Sequence, residues 1–144
     1  MRTVRDESGK SYLLVKRSSE SSLVRDPKTG EERYLENDSL DPVEGEPPLE
    51  TAARRVHPPV RRILTAVPNE RALGLLVELF DRGAVPARTL VSSYDLCESD
   101  LHGLLAEFRA AGLVEERKIV GERGYGLTDI AREGLELLVG DAEQ

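Results

Sequence analysis

Tryptophan is absent from the 144 residues, phenylalanine occurs twice and tyrosine four times, so aromatics make up only 4% of the chain. The core therefore has to be aliphatic, built from Leu, Val, Ala and Ile. Cysteine occurs once, which excludes an internal disulfide, and one Cys with two His cannot complete a closed four-ligand zinc site. No apolar run approaches the ~18 residues of a membrane span. The N-terminal "MRTVRDESGKSY" has no apolar stretch that could serve as a secretory signal. These absences lead to the expectation of a soluble, cytoplasmic chain with no membrane partner, no cofactor and no metal.

Lysine is scarce as well. Only Lys10, Lys16, Lys28 and Lys118 stand among 20 basic residues, leaving sixteen arginines, and 27 carboxylates bring the net charge to −7. An acidic, arginine-rich, lysine-poor chain of this kind resembles proteins of salt-loving archaea. At ~1 M salt the Debye length shrinks to ~3 Å. Carboxylates then repel phosphate less, and basic residues gain less by meeting it.

Three regions differ in pattern. Residues 1–46 alternate short apolar runs with turns, and "DPKTG" (Asp26 to Gly30) is a strong hairpin signal, because Pro27 presets φ and Gly30 can take the left-handed position. Three or four antiparallel strands are expected there, with Tyr12 and Tyr34 as the aromatic surface. Asn37 to Glu50 is rich in Pro, Asp and Glu and reads as a linker. It leads into short helical stretches that carry Arg54, Arg55, Arg61 and Arg62 and are interrupted at Pro58-Pro59. Linker and helices together make residues 47–67.

Residues 68–144 carry the clearest signal. "PNERALGLLVELFDRG" opens on Pro68-Asn69, places Leu73, Leu76, Val77 and Phe80 at i, i+3, i+4, i+7, and closes on Gly83. A short helix over "PARTLVSSY" and a turn at "DLCE" follow. "SDLHGLLAEFRAAG" repeats the spacing with Leu101, Leu104, Leu105 and Phe108 and stops at Gly112. Then come a strand "LVEERKIV", a turn "GERG" and a strand "YGLT". The last helix has Thr128 as N-cap and Ile130, Leu135 and Leu138 as its inner face.

Helix, helix, turn, helix, two-stranded wing and helix is the order of a winged helix-turn-helix. "TLVSSYDLCESDLHGLLAEFRAAGLVEERKIVGERGYGLTDIAREGLELL" resembles the MarR-like and ArsR-like transcriptional regulators, especially the small winged-helix proteins of halophilic archaea. The likeness covers about half of the chain, Asn69 to Val139. The fold class expected is α+β, a small N-terminal antiparallel β-meander followed by a winged helix-turn-helix domain. The resemblance implies that the third helix enters the major groove of double-stranded DNA while the wing touches the backbone or minor groove. Carried over by position, Glu98, Ser99, Asp100, His102, Gly103 and Ala106 would face the groove. Ser99 and His102 are the candidates for base contact and Lys118 and Arg123 for wing contact. Arg54, Arg55, Arg61 and Arg62 are candidates for auxiliary phosphate contacts, or are solvated arginines that stabilise short helices.

Charge departs from that family's pattern. Asn69 to Gln144 holds eight basic and fifteen acidic residues, a net of −7, and the third helix presents carboxylates where small hydroxyls, Arg or His are usual. Two functions therefore stay open: a DNA-binding transcriptional regulator acting as a homodimer, or a winged-helix adaptor with a protein partner in the transcription or translation machinery. The dimer elements expected are the Pro48–Val67 segment and the final helix.

The remaining reactive residues point to no enzyme. Glu115-Glu116 has no second carboxylate cluster to work with, Ser92-Ser93 has no His and Asp partners, and "GERGYG" lacks the dinucleotide-binding spacing and context. Cys97 sits where a helix dipole favours a thiolate and neighbouring Glu98 and Asp100 oppose it, so it reads as an oxidant sensor or as a small buried group.

Overall fold

The computed structural model describes residues 1–140, which divide into two compact units, Met1–His57 and the described residues from Pro58 onward. The class is α+β.

The first unit is a five-stranded antiparallel sheet: β1 (Arg2–Arg5), β2 (Ser11–Arg17), β3 (Ser21–Arg25), β4 (Glu32–Glu36) and β5 (Asp41–Pro42), in spatial order β4-β3-β2-β1-β5. Turn chemistry sets its register. The Asp26 carboxylate accepts from Lys28 N at 2.8 Å, its carbonyl accepts from Gly30 N at 2.8 Å, and Gly30 takes φ +78°. The Asp6 carboxylate closes the preceding turn in the same way, accepting from Ser8 N and Lys10 N.

Two expectations need correcting here. Part of the proline-rich linker is structure: Asp41 and Pro42 add a strand beside Arg5 and Val4, and Glu46 pairs with Arg5 at 2.8 Å. Proline is admissible there because β5 is an edge strand, where one side of the backbone needs no donor. Tyr12 is not surface. It is 1% exposed and forms the core with Val4 and Val24, while Tyr34 stays exposed. The helix α1 (Pro48–Ala53) is joined to this sheet by a buried hydrogen bond of 2.9 Å between the Thr3 and Thr51 hydroxyls.

The second unit runs α2 (Pro58–Ala66), α3 (Glu70–Arg82), β6 (Val85–Pro86), α4 (Ala87–Ser93), α5 (Glu98–Ala110), β7 (Val114–Ile119), β8 (Glu122–Leu127) and α6 (Asp129–Leu138). This is a winged helix-turn-helix. The Asn69 side chain caps α3 by accepting from Ala72 N at 2.9 Å, and the Thr128 hydroxyl caps α6 by accepting from Ala131 N at 3.3 Å. At the end of α5, Gly112 takes φ +74° and Leu113 N bonds back to Phe108 O at 2.9 Å. Thr128 also donates to Gly112 O at 2.7 Å, tying the helix exit to the returning strand. The core is aliphatic apart from Phe108 and Tyr125.

Three details differ from the sequence reading. The inner face of α3 is Ala72, Leu75, Leu76 and Leu79, which leaves Leu73 at the surface and Val77 and Phe80 half-buried. The helix is apolar over most of its circumference, so spacing alone fits two faces about 100° apart. On α6 the buried set is Ala131, Gly134 and Leu135, with Leu138 exposed. The wing gains a third strand, because Val85 pairs with Tyr125 and Pro86 with Gly124.

The wing turn is also two residues long rather than the whole of "GERG". Ile119 pairs with Glu122 and Lys118 with Arg123, so the turn is Val120-Gly121 at φ +48° and +80°. Positive φ at both central residues is a type I′ hairpin, in which Asn-Gly is favoured and a β-branched residue is strained. Val120 is 98% exposed, so it gives nothing back in packing. Val120→Asn is expected to stabilise the second unit by about 1 kcal/mol, read as a raised thermal midpoint.

Gly134 has the opposite sensitivity. A Cβ there would lie 2.6 Å from Ile63 Cδ1 and 2.7 Å from the Pro59 carbonyl oxygen, so α2 and α6 cross where a side chain is missing. Gly134→Val is expected to cost about 3 kcal/mol and to lower the melting temperature by about 10 °C or more.

Candidate nucleic-acid interface

Leu101, Leu105 and Phe108 turn one face of α5 into the core. At about 100° per residue, the opposite face carries Ser99, Gly103, Ala106 and Ala110, all exposed and all small. Asp100 and Glu107 stand on one flank of this strip. Glu98 and His102 stand on the other, with His102 Nε2 3.6 Å from Glu98 Oε1. The helix thus offers a smooth outer surface bordered by three carboxylates.

The wing continues that surface. Lys118 and Arg123 are cross-strand neighbours, and Arg123 Nε lies 3.9 Å from Glu116 Oε1. The same carboxylate oxygen receives Arg109 Nη1 at 3.1 Å, so Glu116 fastens the last turn of α5 to the wing. Arg88 of α4 pairs with Glu122 at 2.6 Å. Arg117 Nη2 donates to Glu115 at 2.9 Å and to Leu127 O at 2.7 Å, lying over Gly126, where a Cβ would sit 2.9 Å from its Cζ. Among the described residues, Lys118 is the wing cation without an ion pair. Counted over both strands, the wing is electrically balanced.

Sequence reasoning passed over Arg88 and Arg109. The signal for Arg88 was its place in the first turn of the helix before the tight turn. The link through Glu116 needs the strand register, which spacing alone does not reveal. The four arginines near the middle of the chain fall in different units: Arg54 and Arg55 in the first, Arg61 and Arg62 in the second. Arg54 pairs with Glu46 at 3.5 Å, and the Arg55 guanidinium lies over Gly30, 2.1 Å from where a Cβ would be. Burial opposes ionisation of Glu46, but the charges of Arg5 and Arg54 prevail and hold it below the usual carboxylate range.

Cys97 is exposed rather than buried, and it occupies the N-cap position of α5. The Ser99 hydroxyl, 3.1 Å from its sulfur, and the Ser99 and Asp100 backbone amides hold the thiol below its usual pKa, outweighing the Asp100 charge. The midpoint of the pH–alkylation curve is therefore expected below that of a free thiol, and Ser99→Ala should move it upward. A midpoint unchanged by that substitution would show that the hydroxyl does not hold the thiolate.

A family model spans nearly all of this architecture, matching residues 1–139. The chain belongs to DUF7346, a family of unknown function. The DUF7346 chain is also similar to three solved structures. A transcriptional regulator HlyU from Vibrio vulnificus CMCP6 is 31% identical, with 54% of this chain and 80% of that one covered and a TM-score of 0.47. HlyU from Vibrio cholerae N16961 is 33% identical, covering 56% and 87%, with a TM-score of 0.48. Reduced HlyU from the same organism is 33% identical, covering 56% and 84%, with a TM-score of 0.47. No curated protein matches the DUF7346 chain. Among its described residues there is no group of three or more His, Cys, Asp or Glu that could hold a metal ion, and no helix long and apolar enough to cross a membrane.

Proposed function

We propose that this DUF7346 protein is a DNA-binding transcriptional regulator, a cytoplasmic binding protein and not an enzyme. The observation that carries this reading is Glu116, which joins Arg109 of α5 to Arg123 of the wing and makes helix and hairpin one surface. The small strip of Ser99, Gly103, Ala106 and Ala110 lets the helix backbone approach base edges closely. Ser99 and His102 are the side chains placed to hydrogen-bond them. Lys118, Arg123 and Arg88 meet the flanking phosphates, the two arginines by exchanging a glutamate for a phosphate oxygen. Arg61 and Arg62 add auxiliary contacts, and Arg54 and Arg55 can do so only on leaving Glu46 and the Gly30 turn.

The acidic border of α5 fits work in concentrated salt, where it repels phosphate less. The exchange of partners makes the salt dependence shallow, because salt loosens the internal Arg–Glu pairs as well as the phosphate contacts. The slope of log affinity against log salt is expected to be flatter than about −0.9 per phosphate contacted. It is measured by titrating labelled duplex DNA from low to molar salt.

The regulator acts as a homodimer through α2, α3 and α6. Leu64, Leu73, Leu138 and Val139 are exposed there and, with Val67 and Val77, border a continuous apolar groove of about 310 Å³. A second copy covers this groove, and two-fold pairing doubles a footprint that is short for one module.

The three carboxylates beside the outer strip of α5 favour a second reading, an adaptor whose α5 meets a basic protein surface. No detectable DNA binding at any salt, together with recovery of a protein partner through α5, would replace the first reading by the second.

A further inference from the structure

The first unit leaves one edge of its sheet open. The β5 edge is two residues long and blunted by Pro42, whereas β4 runs five residues without proline or glycine and meets β3 without a bulge. The phase of the β3–β4 ladder is fixed at both ends: Asp26 N donates to Glu31 O at 2.8 Å, and Asn37 N to Glu20 O at 2.9 Å. Bonded and non-bonded pairs alternate in an antiparallel ladder, so Arg33 and Leu35 bond inward, opposite Val24 and Ser22. Glu32, Tyr34 and Glu36 therefore turn their N–H and C=O groups outward. The Ser39 hydroxyl donates to Glu36 O at 2.7 Å and closes that end of the edge. The other outward groups have no partner among the described residues.

The side chains of Glu32, Tyr34 and Glu36 share one face of β4, by the strand's period of two. Tyr34 is 62% exposed in the middle of the open edge. Carboxylates surround it. From Glu31 to Asp38 stand Glu31, Glu32, Glu36 and Asp38 against Arg33 alone, and Arg33 is engaged in donating to the Tyr12 hydroxyl. Beyond Tyr34, a polar hollow of about 510 Å³ is lined by Glu20, Glu36 and Asp38 together with Ser19, Ser21 and Asn37. None of those three carboxylates has an ion pair among the described residues. The Asn37 amide fastens this end of β4 to the β2–β3 turn, donating to Ser18 O at 2.8 Å.

We propose that β4 takes up an extended basic segment of a partner protein as an added strand, with arginines at alternate positions about one β-branched residue. Main-chain bonds to the outward groups of Glu32, Tyr34 and Glu36 supply the affinity, and side chains select the sequence. The β-branched residue lies opposite Tyr34, and the two cations fall opposite Glu32 and Glu36. Glu32 already holds Arg25 at 3.3 Å, so Glu36, with Glu20 and Asp38 beside it, is the stronger anchor. Charge chooses this occupant over a second copy. A two-fold β4–β4 pair centred on Tyr34 sets Glu32 against Glu36 on both sides, and like charges directly opposite oppose pairing.

The test uses the full chain without DNA, so it stands apart from the DNA reading. The probe is the end-capped peptide Thr-Arg-Thr-Val-Thr-Arg-Thr, titrated in low salt while the amide resonances are followed. Saturation is expected at about a millimolar or below, with shifts centred on Glu32, Tyr34 and Glu36 and slower exchange of their amide hydrogens. The same peptide with glutamate for both arginines should show no binding. N-methylation at the valine and both arginines removes the donors that face β4 but keeps the charge, and should weaken binding about tenfold or more. Glu36→Lys, at an exposed carboxylate without an ion pair, should leave the melting curve unchanged and weaken binding about tenfold. Tyr34→Pro removes an outward N–H and no ladder bond, and should abolish binding. Unsaturable or scattered shifts, equal binding of the N-methylated peptide, or undiminished binding to Glu36→Lys would overturn the proposal. So would edge amides already protected before any peptide is added, since a second copy would then occupy β4.

Discussion

Replacing Lys118 and Arg123 together by glutamate is expected to weaken binding to duplex DNA about 100-fold or more in low salt, with an unchanged melting curve. Both side chains project from the wing and face each other across the hairpin. The substitution turns the two cations that the proposed complex sets beside phosphates into two anions and also frees Glu116 from Arg123. The fold tolerates it for a specific reason: the cross-strand pair is already a pair of like charges, and reversing both signs keeps it so. Glu116→Gln should act in the other direction. With its carboxylate gone, Arg109 and Arg123 are both released toward phosphate, and affinity should rise about tenfold. Binding of the double reversal at wild-type strength would remove the wing from the mechanism.

Leu64→Glu with Leu138→Glu is expected to convert a dimer into a folded monomer, seen as a halved mass in sedimentation. The two side chains are 59% and 44% exposed, so neither substitution opens the core, yet each puts a carboxylate into the apolar groove formed by α2, α3 and α6. The effect on DNA should be large, because two linked modules gain about 10²–10⁴ over one. A monomeric wild-type chain would contradict the pairing, and a dimeric variant would place the interface elsewhere.

Elements with one dominant signal were legible in the sequence. The caps at Asn69 and Thr128, the stop at Gly112 and the turn at Asp26–Gly30 are decided by a few adjacent residues, and the structure places each as expected. Features decided by partners far along the chain were not. The two-residue strands Val85–Pro86 and Asp41–Pro42 are too short to have a period, and only their neighbours make them strands. The rotation of α3 could not be read because apolar residues occupy most of its circumference. In the candidate interface, α5 and the wing cations were evident, since helical spacing and the glycines mark them. The pairing of Arg123 with Glu116 was not, because it depends on strand register.

The most direct test of DNA recognition by α5 and the wing is selection of bound sequences from a pool of randomised duplexes, repeated from low to molar salt. The expected result is an enriched inverted repeat whose half-sites lie about one helical turn apart, with enrichment lost in the Lys118→Glu, Arg123→Glu variant. A pool that stays random at every salt concentration would contradict the account.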